Sequence, residues 1–556
     1  MSTTSHKRYD ALVVGSGAAG SIAVKELTER GMDVLLLEAG RDITEADFVP
    51  QPPKPPAAMS IDLGARLRAV LKGQYIQSRR AMYQEQKNPF LVNDLQHPYA
   101  TEGGDFLWIR GQQLGGRLHS YGRVLLRASD HEFKGAGMGL GGEDWPISYA
   151  DLAPYYDRIE EFIGLYGTDE GIPNLPDGKY RGTSLLTEAE KHFKSTVEAR
   201  WPGRRVVPWR YAAPNPHRVP LGIVAARATG RLITRTDAIV RRVTLDPKTG
   251  RADGVVFVDR HTKKEHRAHA DVVVLCASTI ESVRLLLNSA TDGHPDGLAN
   301  SSGLLGRYFM DQTPSLLFGH DPHHPGFETI DPAPPDPYYP PVGGVYIPRF
   351  DNVEKITNPR FAHGWAVQGT IGRLPVPDGN PGTVGLMGFG EMLPYRDNRI
   401  TLHPRRKDAW GIPIPRIRLG ITDNERALMR AQVAGLREMA EASGFRVNFA
   451  GSALGLDSRK VWPDADPLSR AIFRLGFRKS LAMGAAIHEC GGARMGSDPK
   501  TSVLNAYNQA WDVPNLFVTD ASSYVTNGAV GPTLTIMALT ARACEYIAEQ
   551  HATGAL

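Results

Sequence analysis

The residues best suited to chemistry begin at position 15. Gly15-Ser16-Gly17-Ala18-Ala19-Gly20 follows the apolar run Ala11–Val14 and opens a helical pattern that reaches about Arg30. In this G-x-G-x-x-G spacing the glycines permit a tight turn, close approach of backbone to a pyrophosphate, and close packing of helix on strand. The helix start, with Ala18 and Ala19, offers free N–H groups and a positive dipole end to phosphates. A second apolar run, Asp33–Leu37, ends in Glu38. A carboxylate there accepts both hydroxyls of an adenosine ribose and repels a 2′-phosphate, which disfavours NADP. Strand, glycines, helix, strand and acid in that order predict a dinucleotide-binding βαβ unit. An ordinary β-turn-α corner with incidental glycines would leave Glu38 without a reason.

The elements that must position this cradle are numerous. The chain has 556 residues, enough for two domains that share strands. Ile233–Asp246 and Gly254–Asp259 read as paired strands, and Asp271–Cys276 as a buried strand leading into a helix over Thr279–Asn288. Further strands are expected near Trp365–Ile371, Thr383–Glu391, Arg399–His403 and Leu516–Thr519. Helices are expected near Ile61–Leu71, after Asp144, over Asp423–Ser443 and from Pro532 to about Glu549. QPPKPP at 51–56 and the proline-crowded His320–Pro341 read as a connection and a loop or lid.

Hydrophobic residues make up 41% and charged residues 22%, the balance of a globular protein. The net charge of +4 and the lack of a basic stripe with interleaved aromatics argue against nucleic-acid binding. Cys276, Cys490 and Cys544 are scattered without metal-ligand spacing, so buried free thiols and no metal site are expected. The first ten residues lack a secretory apolar segment, and no stretch approaches the roughly 20 apolar residues of a membrane span. The expected location is the cytoplasm, with export on a signal-bearing partner as the alternative.

Five ordered motifs over nearly the whole chain make it similar to the glucose–methanol–choline (GMC) flavoprotein family. They are Leu36-Leu37-Glu38-Ala39-Gly40; Arg110-Gly111-Gln112-Gln113-Leu114-Gly115-Gly116; Cys276-Ala277-Ser278-Thr279; His488-Glu489-Cys490-Gly491-Gly492; and Asp520-Ala521-Ser522 followed by Gly531-Pro532-Thr533. Asn398–Leu402, Asp408–Pro413 and Cys544–Ile547 add a likeness to bacterial sugar and glycoside oxidoreductases and to pyranose oxidase. The resemblance implies an α/β fold, with a Rossmann-like FAD-binding domain of GMC type and a discontinuous α+β substrate domain on an antiparallel sheet. It divides the chain into FAD-binding segments (1–50, 100–150, 225–315, 485–556), a lid or linker (51–99) and substrate segments (151–224, 316–484). FAD contacts are expected from the cradle and Glu38, and from Arg110, Gly115, Gly116, Ser120, Ile239, Ala277, Ser278, Asp520, Ala521, Pro532 and Thr533.

The implied reaction is hydride loss from an alcohol carbon to the flavin, which needs a base near the hydroxyl; an imidazole of pKa about 7 suits that task. The resemblance places His488 there, against the alternative of a core histidine bonded to a carbonyl. Pro532 suits the first turn of a helix whose N-terminus would face the flavin. The chain departs from the family at Gly531, where Asn or His normally assists. His488 then acts alone or with a substrate-domain residue, a bulkier substrate fills the space at Gly531, or turnover is slow. Asn527 is the nearest replacement, or else a turn former in Thr526-Asn527-Gly528. The position that tethers FAD in some relatives falls on Ser120, with His119 one place early, so non-covalent FAD is expected.

Glu391 is expected to bind substrate hydroxyls, with Trp365 and Tyr338 as stacking aromatics or core. The resulting function is oxidation of a secondary alcohol of a sugar, glycoside or related polyol to the ketone. Oxygen, a quinone or a redox partner protein would accept the electrons, and a homo-oligomer is compatible with the sequence. The alternatives are a GMC-type lyase with structural FAD, an NAD-dependent dehydrogenase and a redox-inert interaction subunit.

Overall fold

The computed structural model describes residues 7–556 apart from 51–53, 55–61, 82, 140–141, 331, 334–335, 340–341 and 464. Most of QPPKPP, Ile61 and part of His320–Pro341 therefore lie outside the described residues.

The first sheet runs in the order Leu232–Arg235, Val34–Leu37, Arg8–Val14, Glu265–Leu275, Ala252–Asp259, Ala238–Leu245, and Leu516–Val518 also pairs with Glu265–Leu275. The strands around Arg8–Val14 are parallel, and the last two add an antiparallel edge. Val34–Leu37 is buried at every position, Val34 and Leu36 against the Ala18–Glu29 helix and Leu35 and Leu37 in the cluster that holds Ala238 and Val240. Leu232–Arg235 and Ala238–Leu245 are separate strands with different partners, not one run from Ile233 to Asp246. The chain turns at Asp237, whose φ is +53°.

The second sheet is antiparallel, in the order Gly455–Leu456, Arg446–Ser452, Thr313–Pro325, Pro381–Gly390, Trp365–Ile371, Val345–Ile347, Val207–Pro208. The expected loop from His320 is strand as far as Pro325. Pairing with Arg446–Ser452 stops at His320, so the prolines beyond break no ladder on that side. The Asp423–Ala442 helix covers one face, burying Leu428, Leu436 and Met439 against Trp365, Val367 and Leu386. Thr422 and Glu425 form its capping box. Side chains alternate along the strands, so Gln368, Met387 and Phe389 turn to the opposite face, toward the first sheet.

The Ala18–Glu29 helix begins where the first strand ends. A Cβ on Gly20 would stand 1.8 Å from the Gly15 carbonyl oxygen, whereas one on Gly17 would meet nothing within 4 Å. Gly20 therefore serves packing, and Gly17 borders empty space. Gly20→Ala should lower stability by about 1–3 kcal/mol, and Gly17→Ala should leave the unfolding temperature of the cofactor-free protein nearly unchanged. Thermal denaturation of the two variants checks the difference.

Candidate active site

A cavity of about 430 Å³ runs between the two sheets. Gly15, Gly17, Ala18, Ala19 and Glu38 line one end; Gln368, Met387, Phe389 and His488 line the other. Arg110, Gly116, Ser120, Ile239, Ala277, Ser278, Asp520, Ala521, Pro532 and Thr533 lie along it.

Of the expected FAD contacts, Gly20 and Gly115 lie behind this wall. Gly115, with φ +94°, donates its N–H to Ser16 Oγ at 2.9 Å. Ser16 Oγ donates in turn to Glu38 Oε2 at 2.5 Å, and Gly40 N–H donates to Glu38 Oε1 at 2.7 Å. Ser16, absent from the expected contacts, thus ties the cradle to the Gly115-Gly116 turn. Burial pushes the Glu38 carboxyl above its usual range. Pro532 is the N-cap of the Thr533–Ala552 helix, one place outside the position expected.

These residues fit a dinucleotide. Glycines leave room for phosphate at Gly17, helix N–H groups face it, and an acid ends the second strand. His119, the other residue weighed for a covalent link, does not line the cavity. Its Nε2 lies 2.8 Å from the Arg218 carbonyl, its Nδ1 lies 3.1 Å from Gln113 Nε2, and its ring stacks on Phe90.

The geometry at His488 rests on Gln312, which is fully buried. Gln312 Nε2 donates to the carbonyls of Gly528 and Val530, both at 2.8 Å. The amide oxygen must then face His488 Nδ1, 2.6 Å away, so Nδ1 carries the proton. Nε2 keeps a free lone pair. A Cβ on Gly531 would stand 3.9 Å from that Nε2, so the space left by the missing Asn or His lies at the basic nitrogen. Burial, and then the Arg117 charge, push the imidazole down to about 3, leaving it neutral at pH 7. The Phe389 ring lies 5.1 Å from the imidazole.

The structure turns two expected residues elsewhere. Glu391 is buried outside the cavity wall, with Arg349 Nη1 at 3.0 Å and His363 Nδ1 at 3.1 Å from its Oε2. Burial raises its carboxyl, but contact with the His363 ring and then the Arg349 charge outweigh burial and hold it below the usual range. Asn527 Oδ1 accepts the Met392 N–H at 3.2 Å, and Asn527 does not line the cavity. Trp365 and Tyr338 are core aromatics. The three cysteines are buried and free.

Sequence reasoning missed Gln312, Gln368, Met387 and Phe389. A polar pair, Asp311-Gln312, at the head of an apolar strand was the one available signal. Asp311 Oδ1 accepts the His488 backbone N–H at 3.0 Å, and among the described residues its Oδ2 has no hydrogen-bond partner within normal distance.

A glycine cradle opening onto a buried neutral imidazole defines a cofactor-dependent oxidoreductase. The GMC oxidoreductase family matches residues 223–313 and 394–540, and an NAD(P)-binding Rossmann-like domain matches 13–77. The chain is 30% identical to 2-methyl-1,2-propanediol dehydrogenase of Mycolicibacterium austroafricanum, covering 99% of this chain and 96% of that protein. It is 25% identical to the gluconate 2-dehydrogenase flavoprotein of Pantoea cypripedii (98% and 94% covered) and 22% identical to C-glycoside 3-oxidase of Microbacterium trichothecenolyticum (98% and 97%). Its fold is shared with pyridoxine 4-oxidase from Mesorbium loti (TM-score 0.58, 20% identity, 97% and 98% covered). Formate oxidase of Aspergillus oryzae shares it as well (TM-score 0.65, 14% identity, both chains fully covered). The chain belongs to the GMC oxidoreductase family. It is an FAD-dependent oxidoreductase acting on CH–OH donors, and no helix among the described residues is long and apolar enough to cross a membrane.

Burial, then the neighbouring Glu489 charge, raise the Asp311 carboxyl to about 8. A folded-state pKa above the unfolded one gives stability that is present at low pH and lost as pH rises through 8. Asp311→Asn removes that loss, so the variant should gain in unfolding temperature relative to the parent between pH 6 and pH 9. Thermal scans at several pH values check the sign.

Proposed function

We propose that this enzyme oxidises a secondary alcohol of a sugar, glycoside or related polyol to the ketone, with His488 as general base. The observation that carries this reading is the free Nε2 lone pair of His488 beside the open space at Gly531. Bound FAD supplies the hydride acceptor at its N5. His488 Nε2 takes the hydroxyl proton as the carbon loses its hydride, and C–O becomes C=O. Gln312 holds the imidazole in the tautomer that can accept that proton. Gln368 offers an amide to substrate hydroxyls, while Met387, Phe389 and Tyr121 offer apolar surface to the C–H face of a ring. Of the relatives named above, those named for gluconate and C-glycosides act on molecules rich in secondary alcohols, whereas the diol of the dehydrogenase named first carries its only oxidisable C–H at a primary alcohol.

FAD is held without a covalent link in this reading, because Ser120 lines the cavity and His119 is engaged elsewhere. The first sheet and the segments around the cradle form the FAD-binding domain. The antiparallel sheet forms most of the substrate domain. Oxygen, a quinone or a redox protein would be the final electron acceptor, and the enzyme works in the cytoplasm.

Anaerobic addition of sugars, glycosides and diols should bleach the flavin absorbance of the holoenzyme. Persistent oxidised spectra across the panel would reject the reading, and carbonyl release by cleavage without bleaching would mark a lyase. Because burial depresses the His488 pKa, kcat/KM should show no inflection near pH 6.5 and should fall only at more acid pH. Gly531→Asn, whose Cβ meets only ordinary contacts, should fold; kcat/KM for bulky glycosides should fall about tenfold relative to small diols.

A further inference from the structure

Two helices present apolar residues to solvent on the faces opposite those they bury. The Pro467–Ser480 helix packs Phe473 and Phe477 inward beside Phe449 and Trp462. On the far side, Leu468, Ile472 and Leu475 follow one another at helical spacing; Leu468 is 69% and Leu475 82% exposed. The Leu63–Leu71 helix buries Ala65 and Ala69 and exposes Leu63, Leu67, Val70 and Leu71, with Leu71 79% exposed. The helices meet where Leu63 and Arg66 share a small pocket with Ile472 and Gly476, so the two stripes form one patch.

Arg68 is paired with Glu85, and the charged side chains around the patch left without any bond among the described residues are all cations. Lys72, Arg470, Arg474, Arg478 and Lys479 make no side-chain hydrogen bond or ion pair among the described residues. The carboxylates on these helices are the N-caps Asp62 and Asp466, which bond to Ala65 N–H and Ser469 N–H, and Asp62 also pairs with Lys54. A helical surface with exposed Leu and Ile flanked by unpaired Arg and Lys matches what an anionic bilayer surface binds: apolar side chains enter the headgroup boundary and cations meet lipid phosphates. A second copy of the chain would instead bring the same five cations face to face.

We propose that the face formed by the Leu63–Leu71 and Pro467–Ser480 helices docks the enzyme peripherally on anionic membranes. This inference is independent of the alcohol that the enzyme oxidises.

Sedimentation of the holoenzyme with phosphatidylcholine vesicles, with and without phosphatidylglycerol, tests it. The enzyme should pellet with the anionic vesicles only and be released by high salt. Leu71→Ser/Leu475→Ser and, separately, Arg474→Glu/Arg478→Glu should each lower vesicle affinity about tenfold or more. Both variants should keep the flavin spectrum and its reduction by alcohol in vesicle-free solution, which separates lost docking from misfolding. Wild-type enzyme that stays in the supernatant with anionic vesicles at low salt would overturn the proposal, as would serine variants that bind like the parent. A solution dimer, seen by light scattering, that the serine variant dissociates would assign the face to a second copy instead.

Discussion

The Gln312 amide is the constraint on which the catalytic reading depends. Its NH₂ group is held by two backbone carbonyls from the 528–530 segment, and its oxygen is thereby committed to His488 Nδ1. Rotating the amide would set a carbonyl oxygen against two others in a buried place, where lost hydrogen bonds are not recovered from water. The tautomer of His488 is therefore decided by the path of the backbone before Gly531. A side chain usual at position 531 is absent, yet the loop that would have carried it still acts on the histidine, through its carbonyls.

The same economy holds at the other end of the cavity. Ser16 receives the Gly115 N–H and donates to Glu38, so one hydroxyl joins the glycine cradle, the Gly115-Gly116 turn and the acid that ends the second strand. The parallel sheet places that cluster, and the antiparallel sheet faces it with Gln368, Met387 and Phe389. The cavity exists because neither sheet supplies both walls. Burial disfavours charge at these groups: it lowers the imidazole of His488 and raises the carboxyls of Asp311 and Glu38.

Elements with strong periodicity or glycine punctuation were legible in the sequence. The Thr279–Asn288 helix and the Trp365–Ile371 strand fall where their patterns place them, and the cradle lies on the cavity. What escaped is what depends on distant partners. Ile233–Asp246 has one apolar composition but pairs with two different strands, and composition does not record the turn at Asp237. Glu391 looked free because its partners Arg349 and His363 are remote in sequence. Gln312 belongs to no spacing motif, and its role appears only when strand, histidine and loop are assembled. The outward stripe of Pro467–Ser480 was hidden because Phe473 and Phe477 already supply the apolar face that a packed helix needs.

Nitrogen-15 NMR of histidine-labelled holoenzyme at neutral pH, with the His488 signals assigned by their loss in His488→Ala, addresses the central claim most directly. The account requires a neutral ring with a protonated Nδ1 and an unprotonated Nε2. An imidazolium, or a ring carrying its proton on Nε2, would contradict it.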